Sequence, residues 1–287
     1  MFERVLFPTD FSEYARMAMS CLAGIPELKE IILLHVIDPG NFNPVINREL
    51  QISQVREKLE AERSFLHHLG QNTIKTVIHT GQNISGCIVS TADKEDVSII
   101  IMGAKNKGLF EGLHLGSTSY RVLHETSKNL LILRSNIIEE LNERQYQKFC
   151  PNIFSKVLVP TDLSAESLKA VQEIALIPGI HELIVCYSLP RGITESEINK
   201  ARDEALKQLE TTCQEITSKD ALIRVRILEG EPVEEIRRYA QESDVSLICS
   251  IPHGKGTIDE IIYGSFTCDL IARTNHPILI YHSQNTS

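Results

Sequence analysis

The sequence lacks several features that mark whole classes of protein. It has no tryptophan, no apolar stretch near the roughly 20 residues needed to cross a membrane, and no dense run of lysine or arginine. Its formal net charge of -9 at pH 7 would repel the phosphates of nucleic acids and acidic membrane surfaces. We therefore expect neither a nucleic-acid partner nor a membrane association.

Cysteine and histidine usage gives no sign of a cross-linked or metal-bound framework. The seven cysteines are scattered and form no C-x-x-C pair, so we predict neither a disulfide framework nor a zinc site and expect most of them to be small buried apolar residues. His67 and His68 are adjacent on a predicted helix and point in different directions, which argues against a shared metal. The opening MFERVLFPTD places a charge pair where a signal peptide has its apolar core, so a cytoplasmic protein is expected.

The chain repeats itself at an interval of about one domain. The segment RVLFPTDFSEYARMA, from Arg4, reappears as KVLVPTDLSAESLKA, from Lys156, and further matched segments follow in the same order. A polar connector separates the two copies. We predict a first domain at 1–137, a linker at 138–152 and a second domain at 153–287.

Each copy has the pattern of an α/β domain. Short runs rich in Val, Ile and Leu alternate with helical periodicity, which predicts buried parallel strands joined by crossover helices. The strands predicted in the first copy are RVLFPT, EIILLHVID, TVIHT, VSIIIMG and NLLILR, and those of the second begin near Lys156, Glu182, Val225, Val245 and Pro277. Each domain should therefore be a five-stranded parallel sheet flanked by helices.

An amphipathic helix is predicted between strands two and three of each copy. In the first copy its apolar face is formed by Ile52, Val55, Leu59, Leu66 and Leu69, and Gly70 offers a left-handed stop. In the second copy Thr194 and Glu197 have capping-box spacing and are followed by Ile198, Ala201, Ala205, Leu209 and Ile216. The two copies therefore match in the place and type of this element.

The segment after the first strand of each copy is a candidate ligand contact, because ligands of parallel α/β sheets bind beyond the carboxyl ends of the strands. It reads Pro8-Thr9-Asp10 in the first copy and Pro160-Thr161-Asp162 in the second. The carboxylate at the strand end can accept hydrogen bonds from a base or a ribose. The alternative is that it caps the following helix, with Ser12 and Ser164 as competing caps.

The segment after the fourth strand of the first copy is rich in glycine. Gly103, Lys105, Asn106 and Lys107 precede Gly116-Ser117-Thr118, which opens a helix. Backbone N–H groups and a helix N-terminus can face a phosphate there, although an ordinary flexible turn with solvated lysines explains the same residues. The chain has neither the P-loop pattern nor G-x-G-x-x-G after its first strand.

Together, VLFPTDFS, HVID and IIIMGAKNKGLFEGLHLGSTS resemble the universal stress protein family, and the second copy resembles it too. The similarity implies a tandem protein with two Rossmann-like domains of the adenine nucleotide alpha hydrolase-like type. ATP-binding members carry glycines in a G-x2-G-x9-G-[ST] frame. That frame falls on Gly103, Asn106, Gly116 and Ser117 in the first copy.

The resemblance also implies which residues contact a nucleotide. Asp10 would meet the adenine and the backbone near Val36 the base, while the loop from Gly103 through Asn106 to Gly116 would hold ribose and phosphates. The site predicted in the first copy comprises Pro8, Thr9, Asp10, Val36, Met102, Gly103, Lys105, Asn106, Gly116, Ser117 and Thr118, and that in the second Asp162, Tyr187, Gly254, Gly264 and Ser265. Ile251 replaces the first glycine of the second frame, which puts binding there in question.

The function implied is a nucleotide-responsive stress or regulatory module that binds ATP, with or without Mg²⁺, or another adenine nucleotide. Such domains commonly pair through their last strands, here within one chain or in a homodimer, and act on a protein partner that the sequence does not identify. Two alternatives stay open: an interaction scaffold without nucleotide, and slow Mg-dependent ATP hydrolysis. No residues in the sequence form a constellation of nucleophile, base and orienting group, so no catalytic residue is predicted.

Overall fold

The computed structural model describes residues 1–70, 73–104, 116–134, 150–189, 195–216, 221–252 and 265–283. These residues form two compact units, and the chain passes from the first to the second between Pro151 and Asn152. No helix within the described ranges is both long and apolar enough to span a bilayer. The domain limits 1–137, 138–152 and 153–287 remain predictions.

The first unit contains a parallel five-stranded sheet. Its strands are β1 (Arg4–Pro8), β2 (Glu30–Ile37), β3 (Ile74–Thr80), β4 (Ile99–Ala104) and β5 (Asn129–Arg134). They lie in the order β3-β2-β1-β4-β5, and every pairing is parallel. The chain therefore leaves β1 towards one side of the sheet and returns to the other at β4, which opens a crevice beyond the ends of these two strands.

Four helices flank this sheet in contacting pairs. They are α1 (Glu13–Ser20), α2 (Arg48–His68), α3 (Ile84–Lys94) and α4 (Ser117–Glu125). Helix α1 contacts α2, and α3 contacts α4. Helix α2 ends as predicted from the sequence, because Gly70 has a φ of +86°, a left-handed conformation that glycine adopts without strain.

The second unit repeats this arrangement. Its strands are β6 (Lys156–Pro160), β7 (Glu182–Leu189), β8 (Leu222–Glu229), β9 (Leu247–Ser250) and β10 (Ile278–Ile280), in the order β8-β7-β6-β9-β10. Its helices are α5 (Ala165–Ile174), α6 (Glu195–Gln214), α7 (Pro232–Glu242) and α8 (Ser265–Arg273). All pairings are again parallel. The predicted α/β class, with a parallel sheet flanked by helices in each half, is confirmed.

The core of each unit lies along the central strands. Val5, Leu6 and Phe7 of β1 are fully buried, as are Val159 and Leu158 of β6. A parallel sheet covered by helices on both faces leaves no polar side for alternate residues. This is why these strands read as continuous apolar runs and not as an alternation of apolar and polar residues.

One pair of cysteines corrects the expectation that no disulfide is present. Cys21, just after α1, is bonded to Cys150, which lies 129 residues further along the chain. Their Cα atoms are 4.2 Å apart because the end of the connector returns to the carboxyl end of α1. The spacing of the two cysteines in the sequence does not indicate that they lie close together. Cys186 and Cys249, by contrast, are free and buried, as predicted for small apolar residues.

Candidate functional site

A pocket of about 430 Å³ opens in the first domain beyond the ends of β1, β2 and β4. Its volume is in the range of small-molecule sites. The strand ends and the first turns of α1, α3 and α4 form its wall. The lining residues are Pro8, Thr9, Asp10, Ser12, Glu13, Tyr14, Ala15, Leu34, His35, Val36, Ile84, Ile88, Met102, Gly103, Gly116, Ser117, Thr118 and Ser119.

The loop after β1 is held by side chains that bond to its own backbone. The Phe11 N–H donates to Thr9 Oγ1 at 3.0 Å and the Ser12 N–H donates to Asp10 Oδ1 at 2.9 Å. Ser12 in turn caps α1, because its Oγ accepts from the N–H of Ala15 at 3.2 Å. Ser12, and not Asp10, is therefore the helix cap, while Asp10 shapes the turn and is exposed in the pocket wall.

Phe11 adopts a strained backbone at the centre of this loop. Its φ of 63° lies in the left-handed region, which costs energy for a bulky side chain. The ring is stacked on His35 with their centroids 4.3 Å apart, and the Lys58 ammonium lies 5.5 Å from the Phe11 centroid. Packing and hydrogen bonds thus maintain a loop conformation that the residue alone disfavours.

The side of the pocket nearest α4 is suited to an anion. Three helices begin at this pocket, and the first turns of α1 and α3 receive side-chain caps from Ser12 and Asn83. Helix α4 begins after Gly116, and no side chain of the described residues caps its first turn. The first N–H groups of a helix have no partner inside it and carry the positive end of the helix dipole. A bound phosphate would supply the missing cap.

Gly103 lines this part of the pocket and lies against α1. A Cβ added there would lie 3.6 Å from Ala18 Cβ and 3.7 Å from the carbonyl oxygen of Tyr14, which are ordinary contacts. A methyl group therefore fits. The further atoms of a branched side chain would extend from that Cβ into the pocket or against α1.

Apolar side chains form another part of the pocket lining. Leu34, Val36, Ile84, Ile88 and Met102 contribute aliphatic surface on which a flat ring can pack. His35 adds a polar group, since its Nδ1 lies 2.8 Å from the carbonyl oxygen of Thr9.

The protonation state of His35 follows from its surroundings. Burial holds the pKa of His35 below its ordinary value, against the hydrogen bond to Thr9 and the charge of Asp10. The ring is therefore neutral at pH 7. Its Nδ1 donates the hydrogen bond to Thr9, and its Nε2 is left as an acceptor.

Nine of the eleven residues predicted for the first site line this one pocket. They are Pro8, Thr9, Asp10, Val36, Met102, Gly103, Gly116, Ser117 and Thr118. Lys105 and Asn106 lie outside the described residues. Within the described ranges no group of three or more His, Cys, Asp or Glu side chains is placed to hold a metal ion. The contact of each residue with a nucleotide remains a prediction.

The second domain builds the same loop after its first strand. The Leu163 N–H donates to Thr161 Oγ1 at 3.1 Å, the Ser164 N–H donates to Asp162 Oδ1 at 2.9 Å, and Leu163 has a φ of 63°. Ser164 caps α5, so the competing cap proposed from the sequence is again the serine. The backbone of this loop is therefore preserved in both copies.

The rest of the predicted second site differs from the first. Ile251 directly follows β9 and is 7% exposed, where the first domain has Gly103. Tyr187 is half-buried on β7, and Ser265 begins α8. Gly254 and Gly264 lie outside the described residues.

The sequence reasoning missed one acidic residue beside the pocket. Glu62 lies on α2, is 8% exposed, and accepts a hydrogen bond from Thr9 Oγ1 at 3.0 Å. Its place between Leu59 and Leu66, three and four residues away, is a position where the helical pattern calls for an apolar side chain. An acidic residue at an apolar position of the helical pattern is the signal that could have identified Glu62.

Comparison with known proteins identifies the family. The model described as "Universal stress protein family" matches twice, at residues 1–134 and 154–282. The chain belongs to the universal stress protein family. The two matches correspond to the two structural units, so the chain carries two universal stress protein domains.

The relatives of the chain support this family. Universal stress protein Slr1230 of Synechocystis is 23% identical over 281 residues, covering 97% of this chain and 88% of that protein. Universal stress protein MJ0577 of Methanocaldococcus jannaschii is 29% identical over 160 residues, covering 47% of this chain and 98% of that protein. A crystal structure of a universal stress protein from Archaeoglobus fulgidus covers 98% of both chains at a TM-score of 0.73 and 21% identity, which shows the shared fold.

Proposed function

We propose that the first domain binds an adenine nucleotide, with ATP as its ligand, in the pocket beyond β1 and β4. The observation that carries the proposal is that a helix N-terminus without a side-chain cap from Gly116 and a set of apolar side chains line one pocket. These two surfaces match the two chemically different ends of a nucleotide.

The phosphates would lie against the first turn of α4. Ser117 and Thr118 line the pocket there and offer hydroxyl groups beside the first N–H groups of the turn. Gly103 lines the pocket without a side chain, so the ribose and phosphates would approach the end of β4 there. Because Gly116 provides no side-chain cap, a bound anion would not compete with one.

The base would pack against the aliphatic wall near Val36. Asp10 has one carboxylate oxygen committed to the Ser12 N–H, which leaves the other oxygen for a ribose hydroxyl or a base amino group. The conformation of the loop is held by the protein's own hydrogen bonds, so little ordering entropy would be lost on binding.

We propose that nucleotide occupancy regulates what the protein presents to a partner. A ligand shifts a conformational equilibrium only by binding its states unequally, and the uncapped first turn of α4 is the element whose hydrogen bonding would change most. Saturating ATP should slow hydrogen exchange of the amides in Ser117–Glu125. Unchanged exchange there, with ATP bound, would remove this regulatory role.

The second domain is proposed as the weaker or inactive copy. Ile251 is buried at the position of Gly103, and its branched side chain takes up space that the first domain leaves open. This observation favours a scaffold role for the second domain, beside a nucleotide-binding first domain.

Calorimetric titration of Mg-ATP into nucleotide-stripped protein tests the assignment. Asp10→Ala should weaken binding about tenfold, because hydrogen bonds to the ligand are lost, whereas the matched Asp162→Ala should leave that binding event unchanged. Both substitutions remove the same turn-forming carboxylate, but only Asp10 lines the first pocket, so the second variant controls for effects that do not act on that pocket. No binding by the wild type, checked by equilibrium dialysis, would overturn the proposal. A turnover assay on the same samples distinguishes binding from slow ATP hydrolysis.

A further inference from the structure

Glu62 is a buried carboxyl group directly behind the pocket. It is 8% exposed, and its Oε1 accepts from Thr9 Oγ1 at 3.0 Å. Its Oε2 has no hydrogen-bond partner among the described residues. Leaving a carboxylate oxygen both buried and unpaired is costly, so the neutral acid is favoured at this position.

Thr9 links this carboxyl group to the pocket. The Thr9 hydroxyl accepts from the Phe11 N–H at 3.0 Å and gives its single hydrogen to Glu62. The Thr9 carbonyl accepts from His35 Nδ1 at 2.8 Å. Thr9 and His35 both line the pocket, and Asp10 follows at once. Glu62 is thus one side chain removed from the groups that would face a ligand.

The charges near Glu62 come from several elements. Helix α2 contacts α1, β2 and β3. The titratable and charged groups are Asp10 in the loop, Glu13 and Arg16 on α1, Glu30 and His35 on β2, Lys75 and His79 on β3, and Lys58, Glu60 and Arg63 among those on α2 itself. Glu30 is paired with Arg4, Lys75 with Glu95, and Glu60 with Arg63.

Two of these charges act directly on Glu62. Burial is the main cause that raises the pKa of Glu62 from 4.5 to about 7, and the negative charge of Asp10 raises it further. The hydrogen bond from Thr9 and the positive charge of Arg16 oppose this rise. Glu62 therefore changes its charge near neutral pH.

We propose that Glu62 couples nucleotide binding in the first domain to the protonation of its own carboxyl group by solvent. The inference rests on the proposed function. A polyanionic nucleotide brings its phosphate charges into the pocket that Thr9 and Asp10 line, and this disfavours ionised Glu62 in the same direction as the charge of Asp10 does. When Glu62 is neutral, Oε1 still accepts from Thr9 and the proton occupies Oε2, so the loop geometry is retained while the repulsion is relieved.

The coupling has a defined direction. By linkage, a ligand that favours protonated Glu62 must bind more tightly to the protonated protein. Affinity should therefore rise as the pH falls through 7. The second domain lacks this arrangement, since the Thr161 hydroxyl lies 2.7 Å from the hydroxyl of Ser167 and not beside a carboxyl group.

The test measures ADP and ATP affinity of the full chain from pH 6 to 8.5. The variant Glu62→Gln keeps the acceptor for Thr9 and removes the charge. Because phosphates titrate in this range as well, the ratio of wild-type to variant Kd is the quantity to follow. It should rise about fivefold from pH 6 to 8.5. The control Glu60→Gln removes a carboxylate from the exposed side of the same helix and should give a constant ratio.

Two further measurements keep the test decisive if the variant folds poorly. Calorimetry of the wild type at pH 7 in buffers of different ionisation enthalpy should show proton uptake, and carbon NMR of the Glu62 carboxyl should show its pKa rising when ADP saturates the site. Nucleotide binding with a constant Kd ratio and no shift in that titration would overturn the coupling alone. No nucleotide binding at any pH would overturn the proposed function as well.

Discussion

The two domains share the loop after their first strand but differ in the residues around it. After β1 and after β6 the chain makes the same turn, with Thr9 and Thr161 accepting from the residue two positions on and a left-handed residue in the middle. The groups around that turn have diverged. The hydrogen bonds that shape the backbone are present in both copies, whereas the surrounding side chains differ.

The two domains differ at two positions around this loop. Gly103 in the first domain corresponds to buried Ile251 in the second. The Thr9 hydroxyl is bonded to a carboxyl group, and the Thr161 hydroxyl to Ser167. Exchanging these residues between the domains tests whether they cause the difference.

The largest effect is expected from closing the first pocket. Gly103→Ile should weaken ATP binding at least about 100-fold, because the branched side chain extends from a Cβ that already contacts Ala18 and Tyr14. Gly103→Ala is the matched control and should change the affinity less than about threefold, since a methyl group meets only ordinary contacts. Isothermal titration measures both. Tight binding by folded Gly103→Ile would show that the ligand does not approach β4.

A smaller effect is expected from Glu62 on stability. Its folded-state pKa of about 7 exceeds the unfolded value near 4.5, so the folded protein binds the proton more tightly. The free energy of unfolding contributed by this group therefore falls as the pH rises from 4.5 to 7. The stability of Glu62→Gln relative to the wild type should increase by about 2 kcal/mol between pH 5 and pH 8.

Hydrogen exchange of the β1 amides measures that difference within the first domain. The β6 amides of the same samples provide the internal control, because Thr161 has a neutral partner in the second domain. Parallel pH dependence of β1 exchange in the variant and the wild type would mean that Glu62 is ionised in the folded protein at pH 5.

The smallest effect is expected from the partner of Thr161. Ser167 is fully buried, and its hydroxyl lies 2.7 Å from both Thr161 Oγ1 and Asp162 Oδ1. Ser167→Ala should lower the stability of the second domain by about 1 kcal/mol, because the Thr161 hydroxyl loses its partner. Exchange of the β6 amides reports the loss, and ATP binding should not change. The matched position in the first domain is already alanine, at Ala15. Equal stability would show that Thr161 finds another acceptor.

The sheet could be predicted from the sequence because buried parallel strands leave a strong local signal. The continuous apolar runs located all ten strands, with errors of a few residues at some ends: β3 begins at Ile74 and not Thr76, and β8 at Leu222 and not Val225. Helix α6 ends at Gln214, before the predicted Ile216. The sequence also predicted that the segments after the first and fourth strands contribute to one ligand site, because the strand order determines where those segments lie.

The features that sequence reasoning missed all depend on distant contacts. Glu62 meets Thr9 across 53 residues, and Cys21 meets Cys150 across 129. The helical pattern indicates that Glu62 is buried, but local periodicity does not indicate which distant residue Glu62 or Cys21 contacts. The sequence could not decide whether Asp10 or Ser12 caps the following helix, because both residue types cap helices and only the loop conformation distinguishes them.

The Cys21–Cys150 bond has a mechanical consequence for the first domain. Cys150 is two residues before the point where the chain enters the second unit. A pulling force applied between Met1 and the second domain would enter at Cys150 and pass directly to Cys21. The 128 residues between the two cysteines, which include β2 to β5 and most of the pocket wall, would lie outside the covalent path of the force while the bond is intact.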